Sequence, residues 1–252
     1  MVSSASALQR RTLEETAHRP WPLPDGAWLQ GQTWCDLLFA HWRVPAEELR
    51  RVVPPQLPLH RDAEGSAWLG VTPFTVHGLR ARGTPPLPWL SHFPELNVRT
   101  YVELDGKPGI YFLSLDAARR AAVIAARRAY RLPYFHARMR AEKVGARIDY
   151  ESERIDSSAP AARFRGWYAP AGARTDDELA RWLAERYCAY TIGGDGRPLR
   201  IEIHHPPWPL QPAGGELEAQ GMSDQVGLAL RGEPLLHFGA RQDTLIWAPA
   251  PA

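Results

Sequence analysis

Residues Phe93 to Met139 read FPELNVRTYVELDGKPGIYFLSLDAARRAAVIAARRAYRLPYFHARM, and the periods in this stretch decide the fold class. Leu96, Val98, Thr100, Val102 and Leu104 alternate with Glu95, Asn97, Arg99, Tyr101 and Glu103, the period of a strand with one apolar and one polar face. Asp105-Gly106-Lys107-Pro108-Gly109 is a turn, and Ile110 to Leu115 is an apolar run of strand length. The pair predicts an antiparallel hairpin. Asp116 stands where an N-cap belongs, so the spacing predicts a helix over Ala117 to Tyr130. Its alanines at 118, 121, 122, 125, 126 and 129 share one half, and Arg119, Arg120, Arg127 and Arg128 the other. Past Pro133, Tyr134, His136 and Arg138 alternate with Phe135, Ala137 and Met139 as a third strand with a polar face.

Working outward, 252 residues without a Ser/Gly-rich or charged linker predict one large domain over 33–252 behind an N-terminal arm over 1–32. A hydrophobic fraction of 44% with ten tryptophans suffices for a core, and a net charge of +2 gives no global basic field, which argues against a nucleic-acid partner. Cys35 and Cys188 form no C-x-x-C pair, which fits a reducing compartment. The N-terminus lacks an apolar core of signal-peptide length and no stretch has the apolar length of a membrane span, so the expectation is a cytoplasmic protein without a membrane partner.

Along the rest of the chain, residues 1–18 read as a loose helix and Trp34 to Val44 as a strand. PAEELRRVV after Val44 is a short helix with Pro45 at its first position. Ala67 to Val76 is a strand in which Pro73 requires an edge or a bulge. The loop GTPPLPWLSHFP is stiff, and serves either as a surface connector or as a pocket wall beside Glu95. Two further strands span VGARIDYES and ARFRGWYAP. Thr175 with Glu178 predicts a capping box. Cys188 to Ile192 pairs with Pro198 to His204, and Leu235 to Gly239 with Thr244 to Ala248.

The chemistry concentrates on the two polar strand faces. If Glu95, Asn97, Arg99 and Tyr101 meet Tyr134, His136 and Arg138, a carboxylate, an imidazole and guanidiniums share a cavity suited to holding an organic acid and moving protons. The alternative is two solvent faces of a half-buried sheet. His204 and His205, adjacent on a strand, point to opposite faces and lack a third ligand, so no metal is expected. No P-loop, Rossmann glycine pattern, H-E-x-x-H or G-x-S-x-G occurs, which leaves no cofactor expected. Only Lys107 and Lys143 carry amines, one in a turn and one beside Glu142, which argues against imine catalysis. The arginines of the alanine-rich helix are a solvated face, or a contact for an anion or another subunit in a homo-oligomer.

FPELNVRTYV, GIYFLSLDA and RLPYFHARM, preceded by HWRVPAEELRRVVPPQL, resemble the YqjF-like family (domain of unknown function 2071), which is similar in fold to acetoacetate decarboxylase. The resemblance runs from Trp34 to Met139. It implies an α+β fold of mostly antiparallel β, a partly closed barrel or cone around a small-molecule cavity with a few flanking helices. In that pattern Glu95 matches the decarboxylase's active-site glutamate. The proline-lysine-lysine motif becomes Pro133-Tyr134-Phe135, and Cys35 stands where an arginine is expected. The reading is therefore a lyase-like or hydrolase-like enzyme without a Schiff-base lysine. Glu95 or His136 is its acid/base, Tyr134 an oxyanion donor, and Asn97, Arg99, Tyr101 and Arg138 hold the substrate. A non-catalytic ligand-binding protein on the same scaffold is the alternative, and a structural oligomer a third.

Overall fold

A computed structural model describes residues 5–87 and 89–252. The predicted helix over residues 1–18 thus loses residues 1–4, and the Pro-rich loop Pro88, to segments outside the described residues. After α1 (Ala5–Arg11) and a single 3-10 turn, β1 (Gln30–Val44) and α2 (Ala46–Val52) lead to β2 (Ala67–Ala81), β3 (His92–Leu104) and β4 (Lys107–Ala117). Then come α3 (Arg120–Tyr130), β5 (Tyr134–Val144), β6 (Arg147–Arg154), β7 (Arg163–Pro170) and α4 (Glu178–Ala184). The chain ends with β8 (Cys188–Ile192), β9 (Pro198–His204), β10 (Gln211–Glu218), α5 (Gln220–Asp224), β11 (Leu235–Ile246) and the short β12 (Ala250–Pro251).

Seven strands close a ring in the order β4, β3, β2, β1, β11, β9, β8 and back to β4. A second closure shares β11 through β4 and returns by β10, β7, β6 and β5. Only the pairings of β4 with β5 and β8 are parallel among the described strands. Gly109 permits the β4–β8 seam, since a Cβ there would lie 2.6 Å from Cys188 Sγ and 2.9 Å from its carbonyl oxygen.

Because β1 to β4 belong to both rings, their side chains are buried on both faces. Leu96 and Val98 of β3 join a core with Leu38, Ala40, Tyr150, Phe164 and Tyr168. Glu95, Asn97 and Arg99 point into the seven-stranded ring. Pro73 falls in a break of the β1–β2 ladder between Cys35↔Thr75 and Ala40↔Val71, beside Asp36 at φ 50°, where its missing N–H removes no ladder bond. The expected bulge is there, inside the sheet.

The N-terminal segment is docked on the ring. Gln9, fully buried, donates to Gly78 O at 3.1 Å and accepts from Arg80 Nε at 2.8 Å. Arg19 pairs with Glu202 at 3.2 Å. Among the described residues no helix is long and apolar enough to cross a membrane.

Three local expectations are corrected. Asp116 does not cap a helix: Ala117 pairs with Glu95 on one side and His136 on the other, so the strand runs through it and α3 starts at Arg120. The Asp116 carboxylate is instead buried against Arg154, 2.7 Å away, and burial pushes its pKa up to about 6 against the pull of that guanidinium. The helix after Thr175 is capped by Asp177, which accepts from Ala180 N at 2.7 Å, while Thr175 accepts from Asp177 N one turn earlier. Leu235 to Ala248 is no hairpin: Gly239 to Asp243 keep pairing with β1, and β11 is one strand.

Replacing Arg154 by methionine strands a carboxylate that is fully buried, and is expected to cost about 3–5 kcal/mol. Asp116→Leu with Arg154→Met is expected to recover most of it, read as the urea unfolding midpoint of each variant.

Candidate small-molecule cavity

Strand alternation builds one wall of the cavity inside the seven-stranded ring. From β3 come Glu95, Asn97 and Arg99, from β1 Gln30, Gln32, Trp34 and Leu37, and from β4 Ile110, Phe112 and Leu115. The end of α3 contributes Tyr130 and Leu132, after which Pro133 turns the chain and presents Tyr134. Arg186, between α4 and β8, and Trp208, after β9, close the far side. The free space is about 70 Å³, room for a few waters or a ligand of a handful of heavy atoms.

Glu95 is 5% exposed and meets no cation among the described residues; Tyr134 donates a hydrogen bond to its Oε1 at 3.1 Å. Burial pushes its pKa up to about 8, with the tyrosine's hydrogen bond pulling weakly the other way. At neutral pH the group is therefore a carboxylic acid. Because Oε1 accepts from Tyr134, the proton belongs on Oε2, free to be donated. Tyr134 is held well above the ordinary phenol range, first by burial and then by Glu95, so it acts only as a donor. The backbone of Glu95 is fixed by Tyr150, whose hydroxyl donates to the Glu95 carbonyl at 2.8 Å.

Several polar atoms of the wall lack hydrogen-bond partners. Asn97 Oδ1, Arg99 Nε, Arg186 Nε, Trp34 Nε1 and the Tyr130 hydroxyl are buried without a hydrogen bond, an uncommon concentration for one cavity. Arg99 and Arg186 are 6% and 5% exposed. Their guanidinium carbons lie 5.9 Å and 4.9 Å from the centroid of the same ring, Tyr101. Burial and the neighbouring Arg99 charge bring Arg186 down to about 10.

Of the residues singled out from sequence, Glu95, Asn97, Arg99 and Tyr134 share this cavity. Tyr101 lies beneath the two guanidiniums, where its hydroxyl contacts His41 Nε2 at 2.6 Å and donates to Leu183 O at 2.7 Å. His136 and Arg138 lie elsewhere, in an outer groove with His92 and Arg119. Beyond Ala117↔His136, β5 leaves β4 for β6, and on its outer face Arg138 pairs with Glu153 at the surface. The Pro-rich loop is a surface connector over its described residues, with Trp89 exposed and none of those described residues at the cavity. Neither lysine lines it: Lys107 sits over Trp21 and Lys143 pairs with Asp36. Among the described residues, no group of three His, Cys, Asp or Glu is placed to hold a metal ion. Nothing in the local sequence pattern of Arg186, Trp34 and Trp208 separates them from the chain's other arginines and tryptophans.

The family model described as "Uncharacterized conserved protein", domain of unknown function 2071, matches residues 31–243. The chain belongs to this family. The uncharacterized protein YqjF of Bacillus subtilis (strain 168) is 46% identical to this YqjF-like chain over 229 residues, covering 89% of it and 93% of the relative. The enduracididine biosynthesis enzyme MppR complexed with pyruvate superposes with a TM-score of 0.65 at 14% identity over 93% of both chains. Acetoacetate decarboxylase from Legionella pneumophila subsp. pneumophila str. Philadelphia 1 gives 0.63 at 11% identity, covering 94% of this chain and 93% of that one. The YqjF-like fold is thus of acetoacetate decarboxylase type: mostly antiparallel, with a few helices around a ring of strands.

The Glu95 environment predicts a pH signature. Below about pH 4.5 the group is protonated whether folded or not; between there and about 8 the folded chain holds a proton that the unfolded chain releases. Stability therefore falls as pH rises through that window, and levels off above it. Relative to Glu95→Gln, the wild type is expected to lose on the order of 4 kcal/mol from pH 5 to 8.5 in urea denaturation series.

Proposed function

We propose that this YqjF-like protein is a lysine-independent enzyme that uses the Glu95 carboxylic acid on a small carboxylated or oxygenated metabolite, in lyase-like or hydrolase-like chemistry. The observation that supports this most directly is a buried carboxyl, its pKa pushed by burial up to about 8, that faces a cavity of ligand size with Tyr134 donating to it. Glu95 gives its Oε2 proton to a ligand oxygen as that oxygen gains electron density. The Tyr134 hydroxyl, already on Oε1, stabilises the carboxylate left behind. Product or solvent then returns the proton. Small-acid binding on this fold is consistent with the pyruvate complex of MppR, whose ligand occupies a protein of the same architecture.

An imine route has no support from the cavity wall, which presents tyrosine at position 134 and no lysine. A second reading, a binding protein without turnover, draws on the placement of His136 outside the cavity. The histidine that does line it, His205, meets Gln242 at 3.0 Å and the Arg186 carbonyl at 3.2 Å. Among the described residues, that leaves the cavity with a proton donor but no free base.

A thermal-shift screen of small carboxylic, keto and hydroxy acids, followed by NMR assay of each hit for turnover, separates the two readings. Catalysis predicts a hit that is consumed, with Glu95→Gln lowering kcat by about 10²–10⁴ and Tyr134→Phe by on the order of tenfold. The rate is expected to fall as pH rises through about 8, where Glu95 loses its proton. Hits that bind equally to wild type and Glu95→Gln and are never consumed would establish the binding reading instead.

A further inference from the structure

We propose that Arg99 and Arg186 form a two-pronged clamp for the carboxylate of a small organic anion, at the end of the cavity away from Glu95. This rests on the reading of the cavity as a ligand site and names what that ligand must carry. Four observations converge on it. Both guanidiniums line the cavity, from separate elements, β3 and the α4–β8 connection. Neither forms an ion pair with a carboxylate among the described residues. Their close contacts are aromatic rings and weak hydrogen bonds, Arg99 to Leu183 O at 3.4 Å and Arg186 to His60 at 3.5 Å. The Nε atom of each is buried with no acceptor.

Two like charges drawn to one tyrosine ring repel each other, and the surroundings do not neutralise them. Glu103, the carboxylate that acts on Arg186, is bound to His60 at 3.2 Å. Glu95 lies four residues before Arg99 on β3, roughly 13 Å along the strand, and is uncharged at neutral pH. His41 and His237, nearby, are held neutral, His41 by burial first and then by the two arginines. An anion is the missing partner. A planar carboxylate fits between guanidinium forks and aromatic faces in about 70 Å³, while the apolar wall of Leu37, Phe74, Ile110 and Ile203 receives a short carbon chain.

The test uses propionate and its neutral isostere propionamide on the full chain, with binding followed by calorimetry and by NMR of nitrogen-labelled arginine Nε–H groups. Propionate is expected to bind saturably and to shift two slowly exchanging Nε–H signals, those lost in Arg99→Lys and Arg186→Lys. Propionamide is expected to leave both in place. Arg186→Met and Arg99→Met should each weaken propionate at least tenfold, and Glu95→Gln less than threefold. Where a methionine variant loses its fold by circular dichroism, the wild-type Nε–H shifts decide. Equal response to propionamide, preference for inorganic phosphate, or binding that leaves both Nε–H signals unmoved would overturn the clamp. The acid-catalysis reading fails separately, if propionate occupies the arginines while Glu95→Gln leaves turnover of every consumed ligand unchanged.

Discussion

The constraint on which the rest depends is that β3 has no solvent face. Closed into two rings at once, it sends Leu96 and Val98 into one core and Glu95, Asn97 and Arg99 into the interior of the other ring. An alternating strand ordinarily puts its polar residues in water. Here the topology denies them water, and each must find a partner, change its protonation state or wait for a ligand.

The three residues take different courses. Glu95 gives up its charge, since a neutral acid is cheaper to bury than a carboxylate, and Tyr134 supplies the hydrogen bond that remains possible. Arg99 leans on Phe39 and Tyr101, where Arg186 joins it. Asn97 leaves its carbonyl oxygen unpartnered. A cavity with an acid at one end and two cations at the other is thus polarised along β3. Asp116 shows the contrasting solution: equally buried, it is matched by Arg154 and serves the joint between β4 and β6.

Much of this was legible in the sequence, for identifiable reasons. The hairpin of β3 and β4 follows from period and turn chemistry, and the resemblance carried by FPELNVRTYV and RLPYFHARM gave the fold type that the family match and the structural neighbours support. Local signals failed where long-range pairing overrode them. Asp116 looks like a cap because alanines follow, yet Ala117 is claimed by strands on both sides. Leu235 to Ala248 looks like a hairpin because Arg241 and Asp243 interrupt the apolar run, but those residues continue the ladder with β1. Glycines in β10 and the short length of α5 hide their periods in the sequence. His136 shares the period of Tyr134 but not its cavity: Tyr134 reaches Glu95 inside the ring, while His136 opens on the outer groove with His92 and Arg119. Arg186 becomes visible only when the ring closes.

The account turns on the protonation state of one buried carboxyl. A carbon-13 NMR titration of the Glu95 side-chain carboxyl, assigned by its absence in Glu95→Gln, reads that state directly in the folded chain. The midpoint is expected near pH 8. A midpoint near the ordinary glutamate value of about 4.5 would mean that Glu95 is a carboxylate at neutral pH, and would contradict its proposed role as a proton donor.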